Sequence, residues 1–177
     1  MSQASHNAPI QDFSQCHAGI TKKLDMLGEL PALLAPAARA REVAETTLEF
    51  FREAIFEHHL DEERELFPAV LDNAQKGEEY DRAKAIVKQL TEEHRDIERL
   101  WKSLESGLKK AAKGHATDLN VDDIERMVRQ YKAHARFEET EFLPLSEKIL
   151  GRNSDKMMAL GMSLHMRHAK LSIPEYI

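Results

Sequence analysis

A chain of 177 residues, 42% hydrophobic and 32% charged, has the length and composition of one globular domain, able to bury roughly 70% of the surface its unfolded form exposes. Its net charge of -6, with acids and bases interspersed, excludes the basic stripe that a nucleic-acid surface needs. The short apolar runs exclude a membrane-spanning helix, and the lone Cys16 excludes an internal disulfide. Residues 1–11 lack the basic and apolar regions of a signal peptide, so the expected setting is a reducing cytoplasm.

With seven glycines, six prolines and no sustained period-two alternation, the chain reads as all-α. Residues 1–9 are expected to form a flexible N-terminal tail. The first helix, 10–34, puts Phe13, His17, Ile20, Leu24, Leu27 and Leu34 on one stripe, with Pro31 and Pro36 marking its end and a turn. The second, 40–73, turns Leu48, Phe51, Ile55, Glu62, Leu66 and Val70 inward, and Pro68 should kink or divide it. After a break at Gly77, the third, 80–112, carries Ala83, Ile86, Leu90, His94, Ile97, Trp101, Leu104 and Leu108. Asn120 or Asp122 caps a fourth, with Ile124, Val128, Tyr131, Ala135, Glu138, Phe142 and Ile149 on its stripe. Four such helices with short loops predict an up-down-up-down four-helix bundle over 10–150. Residues 151–177 are expected to pack on it as a short fifth helix and tail, which brings His165 or His168 toward one end.

One cassette occurs twice: His58-His-Leu-Asp-Glu62-Glu63-Arg-Glu-Leu-Phe-Pro68 and His134-Ala-Arg-Phe-Glu138-Glu139-Thr-Glu-Phe-Leu-Pro144. A histidine and a glutamate four residues apart share one helix face and can reach a common point. Singly, such a pair is commonplace on a solvated face, and a lone histidine on an apolar stripe is usually a satisfied core residue. Here the two cassettes are matched, and the other two helices carry His17 and His94 in stripe positions. An unpaired carboxylate in a bundle core would cost several kcal/mol, and no lysine or arginine falls near the centre of these stripes. A metal ion answers that charge.

His59 and Glu63 form a shifted copy of the same spacing, and Glu139 shadows Glu138. Aligning Pro68 with Pro144 favours His58 and Glu62, which leaves Glu63 and Glu139 as outer or surface residues whose removal should spare the site. Four imidazoles and two carboxylates without a thiolate suit iron or manganese better than structural zinc, although manganese and zinc stay in play. Two bridging glutamates and a bridging oxide or hydroxide would leave about two positions open on a pair of octahedral ions. Open positions on a redox pair imply a small ligand such as dioxygen, nitric oxide or peroxide.

The doubled cassette, with His17 and His94, resembles the hemerythrin-like (HHE cation-binding) family over about residues 10–150. The resemblance implies a four-helix bundle holding two iron ions on His17, His58, Glu62, His94, His134 and Glu138, with both glutamates bridging. Oxygen-carrying hemerythrins place a further histidine four residues before the one on the third helix, where this chain has Leu90. The implied function is binding or sensing of dioxygen or nitric oxide in oxygen, iron or nitrosative-stress handling. The alternatives are a di-iron enzyme (peroxidase, catalase-like, NO-reducing or iron–sulfur repair) and an iron-storage or delivery module. A homodimer is compatible with the sequence; a membrane or nucleic-acid partner is not expected.

Overall fold

The computed structural model describes residues 8–51 and 55–153, and every described element is helical. The expected fifth helix, with His165 and His168, and most of the expected tail lie outside the described residues; Ala8 and Pro9 already belong to a helix. The elements are α1 (Ala8–Phe50), α2 (Phe56–Asp61), α3 (Phe67–Asn73), α4 (Glu78–Ala112), α5 (Val121–Phe137) and α6 (Leu143–Leu150). Five-residue π-turns, Glu62–Leu66 and Glu138–Phe142, join α2 to α3 and α5 to α6. No described helix is long and apolar enough to cross a membrane.

The first helix departs most from expectation. Instead of ending near residue 34, α1 continues through Pro31 and Pro36. Each proline removes one hydrogen bond and costs about 3 kcal/mol in a helix interior. Strong helix formers surround both, with Ala32, Leu33, Leu34 and Ala35 between them and Ala37, Ala38 and Ala40 after, and they carry the helix across. Among the described side chains of α1 only the C-terminal end is packed: Ala44 is buried, Thr47 and Leu48 are half-buried, and α1 lies along α4. The stripe expected to face a bundle core is open to solvent, from Ile20 at 50% exposure to Leu34 at 61%.

The remaining segments pack as antiparallel arms. Asn120 rather than Asp122 caps α5, its side chain accepting from the Asp122 amide at 2.9 Å, and Asp122 and Asp123 add negative charge to that positive helix end. At the end of α4, Gly114 adopts φ +69°; the Gly114 and His115 amides donate back to the Ala111 and Lys110 carbonyls, a Schellman closure.

Two apolar clusters fill the space between the arms. Phe67, Val70, Leu90, Phe142 and Ile149 belong to one; Ile97, Leu100, Trp101, Leu104 and Met127 form the other, with Phe51 stacked on Trp101 at 4.2 Å. On α4, the expected stripe from Ala83 to Leu104 is buried throughout. On α5, Met127 is buried, whereas Val128, expected on the buried stripe, is 48% exposed. His94 sits on α4 between Leu90 of one cluster and Ile97 of the other, so a polar layer divides the core. Phe142, fully buried and set edge-on to Phe67 at 5.0 Å, is central to the first cluster. Phe142→Ala is expected to lower unfolding free energy by about 3–5 kcal/mol in denaturant titrations.

Candidate metal centre

Both cassettes fold alike, and their prolines explain how. Pro68 and Pro144 follow Glu62 and Glu138 by six residues, lack an N–H, and would crowd the carbonyl four residues back in a regular helix. The chain widens by one residue ahead of each proline. The Phe67 amide donates to the Glu62 carbonyl and the Leu143 amide to the Glu138 carbonyl, a five-residue step in each copy. Between α2 and α3 this turn brings Phe67 into the core and leaves Leu66 half-buried.

The polar layer consists of His59, Glu62, His94, His134 and Glu138, all buried. Candidate ligand atoms of Glu62, His94, His134 and Glu138 lie within 4.8 Å of one another, as do those of His59, His94 and His134. His94 Nε2 is 3.3 Å from Glu62 Oε2, and His134 Nε2 is 3.3 Å from Glu138 Oε1. Neither contact has hydrogen-bond alignment. Both nitrogens of His59, Nε2 of His94 and of His134, and one oxygen of each glutamate are buried without a hydrogen-bond partner. Six such atoms in one layer are a large deficit, since each orphaned polar atom costs about 1–3 kcal/mol.

The outward nitrogens of two imidazoles are held. His94 Nδ1 is 2.8 Å from Glu63 Oε1, and His134 Nδ1 is 2.9 Å from Glu93 Oε2. An ionised carboxylate only accepts, so each Nδ1 carries a proton and donates, and each Nε2 is the nitrogen that faces the cluster. Arg95 is paired with Glu63. Burial opposes ionisation of Glu63, but His94 and Arg95 outweigh it and hold its carboxyl below the ordinary range. His59 has no such partner; it stacks on His94 with ring centroids 3.9 Å apart. Burial, then the neighbouring His94 and His134, push His59 down to about 2, so it is a neutral imidazole.

Charge within the layer is unbalanced. Burial and the adjacent Glu62 carboxylate drive the Glu138 carboxyl far above its usual range. Glu62 moves the other way: burial opposes its charge, but His94 and His58 outweigh that penalty. Burial lowers His134 more than Glu93 raises it. The layer thus combines three imidazoles with a carboxylate pair that cannot comfortably hold two charges, a donor set suited to a cation.

Of the residues marked in the sequence, Glu62, His94, His134 and Glu138 are brought together. His58 stands at the rim, 45% exposed, with Nε2 3.4 Å from Glu62 Oε1. His17 is exposed on α1 and is not brought to the cluster. His59, set aside in favour of His58, is buried inside it; the repeated spacing His59-x-x-x-Glu63 was the signal, although Glu63 itself turns outward to His94. A cleft of about 250 Å³ opens from the cluster between α2–α3 and α5–α6, lined by His58, Glu62, Leu66, Tyr131, Glu138 and Leu143 among others. A larger cleft of about 390 Å³, between α4 and α5, reaches only Glu93 and the His134 side of the layer.

Helical arms here converge histidines and glutamates on a buried layer that could hold a cation, within an all-α domain. The chain belongs to the hemerythrin HHE cation binding domain family, whose pattern it matches over residues 8–146. It is also similar to an uncharacterized protein of Haemophilus influenzae, 26% identical over 142 residues, which cover 78% of this chain and 79% of that relative. No solved structure matches the chain.

Proposed function

We propose that the polar layer is a non-haem di-iron centre that binds or senses dioxygen or nitric oxide. One observation carries this reading: six buried nitrogen and oxygen atoms of His59, Glu62, His94, His134 and Glu138 lack partners, within a family that binds cations. The nitrogen–oxygen donor set, free of thiolate, favours iron or manganese over structural zinc. Ligands would be His94, His134, Glu62 and Glu138 from the buried layer, with His58 closing from the rim and His17 completing the set. Bound there, ferrous iron would supply electrons to a small ligand. The chain's own residues do the rest. Glu63 and Glu93 fix the two imidazoles, Leu90 packs the third-helix position apolar, and the cleft beside Tyr131 admits a ligand of a few atoms.

That open cleft also favours a second reading, turnover of peroxide or nitric oxide at the same centre. Anaerobic loading with ferrous iron, metal analysis and optical spectra before and after oxygen test both. The expected result is about two irons per chain and oxo-bridged di-ferric absorption after oxygen. A dioxygen adduct lasting minutes supports binding, and rapid consumption of peroxide supports turnover. A chain that retains no iron would end both readings.

A further inference from the structure

We propose that the groove between α2–α3 and α5–α6 is filled by α1 of a second copy, giving a helix-swapped dimer in which His17 of each copy completes the other's site. The role of His17 rests on the metal-centre reading above; the packing does not.

Two apolar faces on the same chain, without a partner among the described residues, motivate this. On α1, Ile20, Leu24, Leu27 and Leu34 recur at helical spacing and are half or more exposed. Leu143 lines the groove and is exposed, and on α5 Val121 and Val128, seven-residue steps before the groove-lining Ala135 and so on its helix face, are exposed too, Val121 at 64%. The two faces agree in length and register. From His17 to Leu34 is the same number of residues as from Val121 to Glu138, about 26 Å of helix in each case. Laid antiparallel, α1 puts Leu34 at Val121, Leu27 at Val128 and His17 at Glu138. The spare imidazole then meets Glu138, one of whose oxygens is buried without a hydrogen-bond partner.

The site itself asks for that residue. The larger buried ligand group joins Glu62, His94, His134 and Glu138, four residues and enough for one ion. A second ion has His58 at the rim and needs a further donor from the groove side, where no other described helix lies. A chain cannot supply this from its own α1 as folded here. The helix is unbroken through Pro31 and Pro36, and His17 lies roughly 40 Å of helix beyond Ala44, the last buried point before α1 leaves the arms. A second copy can, and the exchange is reciprocal: each chain donates one helix and receives one, which closes as a two-fold dimer.

Light scattering of the full chain, without added metal, is expected to give twice the 20.2 kDa chain mass at micromolar concentration; a monomer would overturn the proposal. Register is tested in a Cys16→Ser background by Leu27→Cys with Val128→Cys. Oxidation should give a covalent dimer on a non-reducing gel, and a bond within one chain, or none, rejects the swap. For the ligand, His17→Ala chains and Glu62→Ala/Glu138→Ala chains are mixed unfolded, refolded together and loaded with ferrous iron. Each alone should lose the iron pair, and random re-pairing should restore about a quarter of the sites. No restoration would mean that His17 serves its own chain or none. If wild-type protein binds no iron, the metal reading fails while the mass and the cross-link still decide the swap.

Discussion

Replacing Glu138 by glutamine should raise the stability of the metal-free protein while abolishing its ability to hold the iron pair. Glu138 and Glu62 face one another's charge in a layer with no lysine or arginine, and burial with that neighbour drives the Glu138 carboxyl far above 4.5. Its folded value exceeds its unfolded one, so folding favours the protonated form. Stability from this group is fully present below the ordinary carboxylate range and is lost as pH rises from there toward the folded value. Glutamine keeps the shape and removes the charge. Metal-free Glu138→Gln should therefore be more stable than wild type at pH 7–8 by about 1–3 kcal/mol, several degrees in melting temperature, and should lose this arm of the pH dependence. Its affinity for ferrous iron should fall on the order of 100-fold or more, because an amide replaces a carboxylate ligand. Calorimetry from pH 5 to 8, alongside iron titration, separates the effects. A variant less stable than wild type at every pH would refute the idea that an uncompensated carboxylate pair strains the layer. For wild type, ferrous iron should raise the melting temperature, and at a thousand times the dissociation constant the gain is about 4 kcal/mol.

Much of this arrangement follows from periodicity. The α4 stripe, from Ala83 to Leu104 with His94 among it, is buried as its spacing requires, because strong amphipathicity over many turns leaves one way to pack. The two glutamates near the centre of their stripes are buried as well. Periodicity is weaker where a helix is irregular. Both cassettes pass through π-turns, and a single residue of slip there is enough to exchange Leu66 for Phe67 in the core. His58 and His59 are adjacent and each pairs in spacing with a glutamate, so spacing alone does not decide which one turns inward. Proline misleads in α1 for a different reason. Its breaking tendency is a local cost of a few kcal/mol, which the surrounding alanines and leucines are able to absorb. Where a helix goes after such a site is a tertiary question, and spacing within the helix carries no information about it.

The carboxylates outside the layer are the part that spacing assigned least well. The sequence suggested that Glu63 and Glu139 are both dispensable; the geometry separates them. Glu139 is exposed at the rim of the cleft, whereas Glu63 accepts from His94 Nδ1 at 2.8 Å and is itself held by Arg95. Glu93, which belongs to no cassette, does the same for His134 at 2.9 Å. A ring whose Nδ1 is held keeps one tautomer and one orientation, so its Nε2 lone pair stays on target, and a carboxylate partner makes that nitrogen a better donor. Glu63→Ala and Glu93→Ala should each weaken ferrous iron binding about 10–100-fold, measured by competition with a chelator, while Glu139→Ala should leave it unchanged. The conservative Glu63→Gln and Glu93→Gln should recover part of the loss, because an amide oxygen still accepts from Nδ1–H but carries no charge. The alanine variants should keep their helical circular dichroism, since both glutamates are partly solvent-exposed and neither fills the core. Equal loss for Glu139→Ala would show that the whole acidic rim attracts the ion through its charge, and the assignment of Glu63 and Glu93 as holders of the two rings would fall.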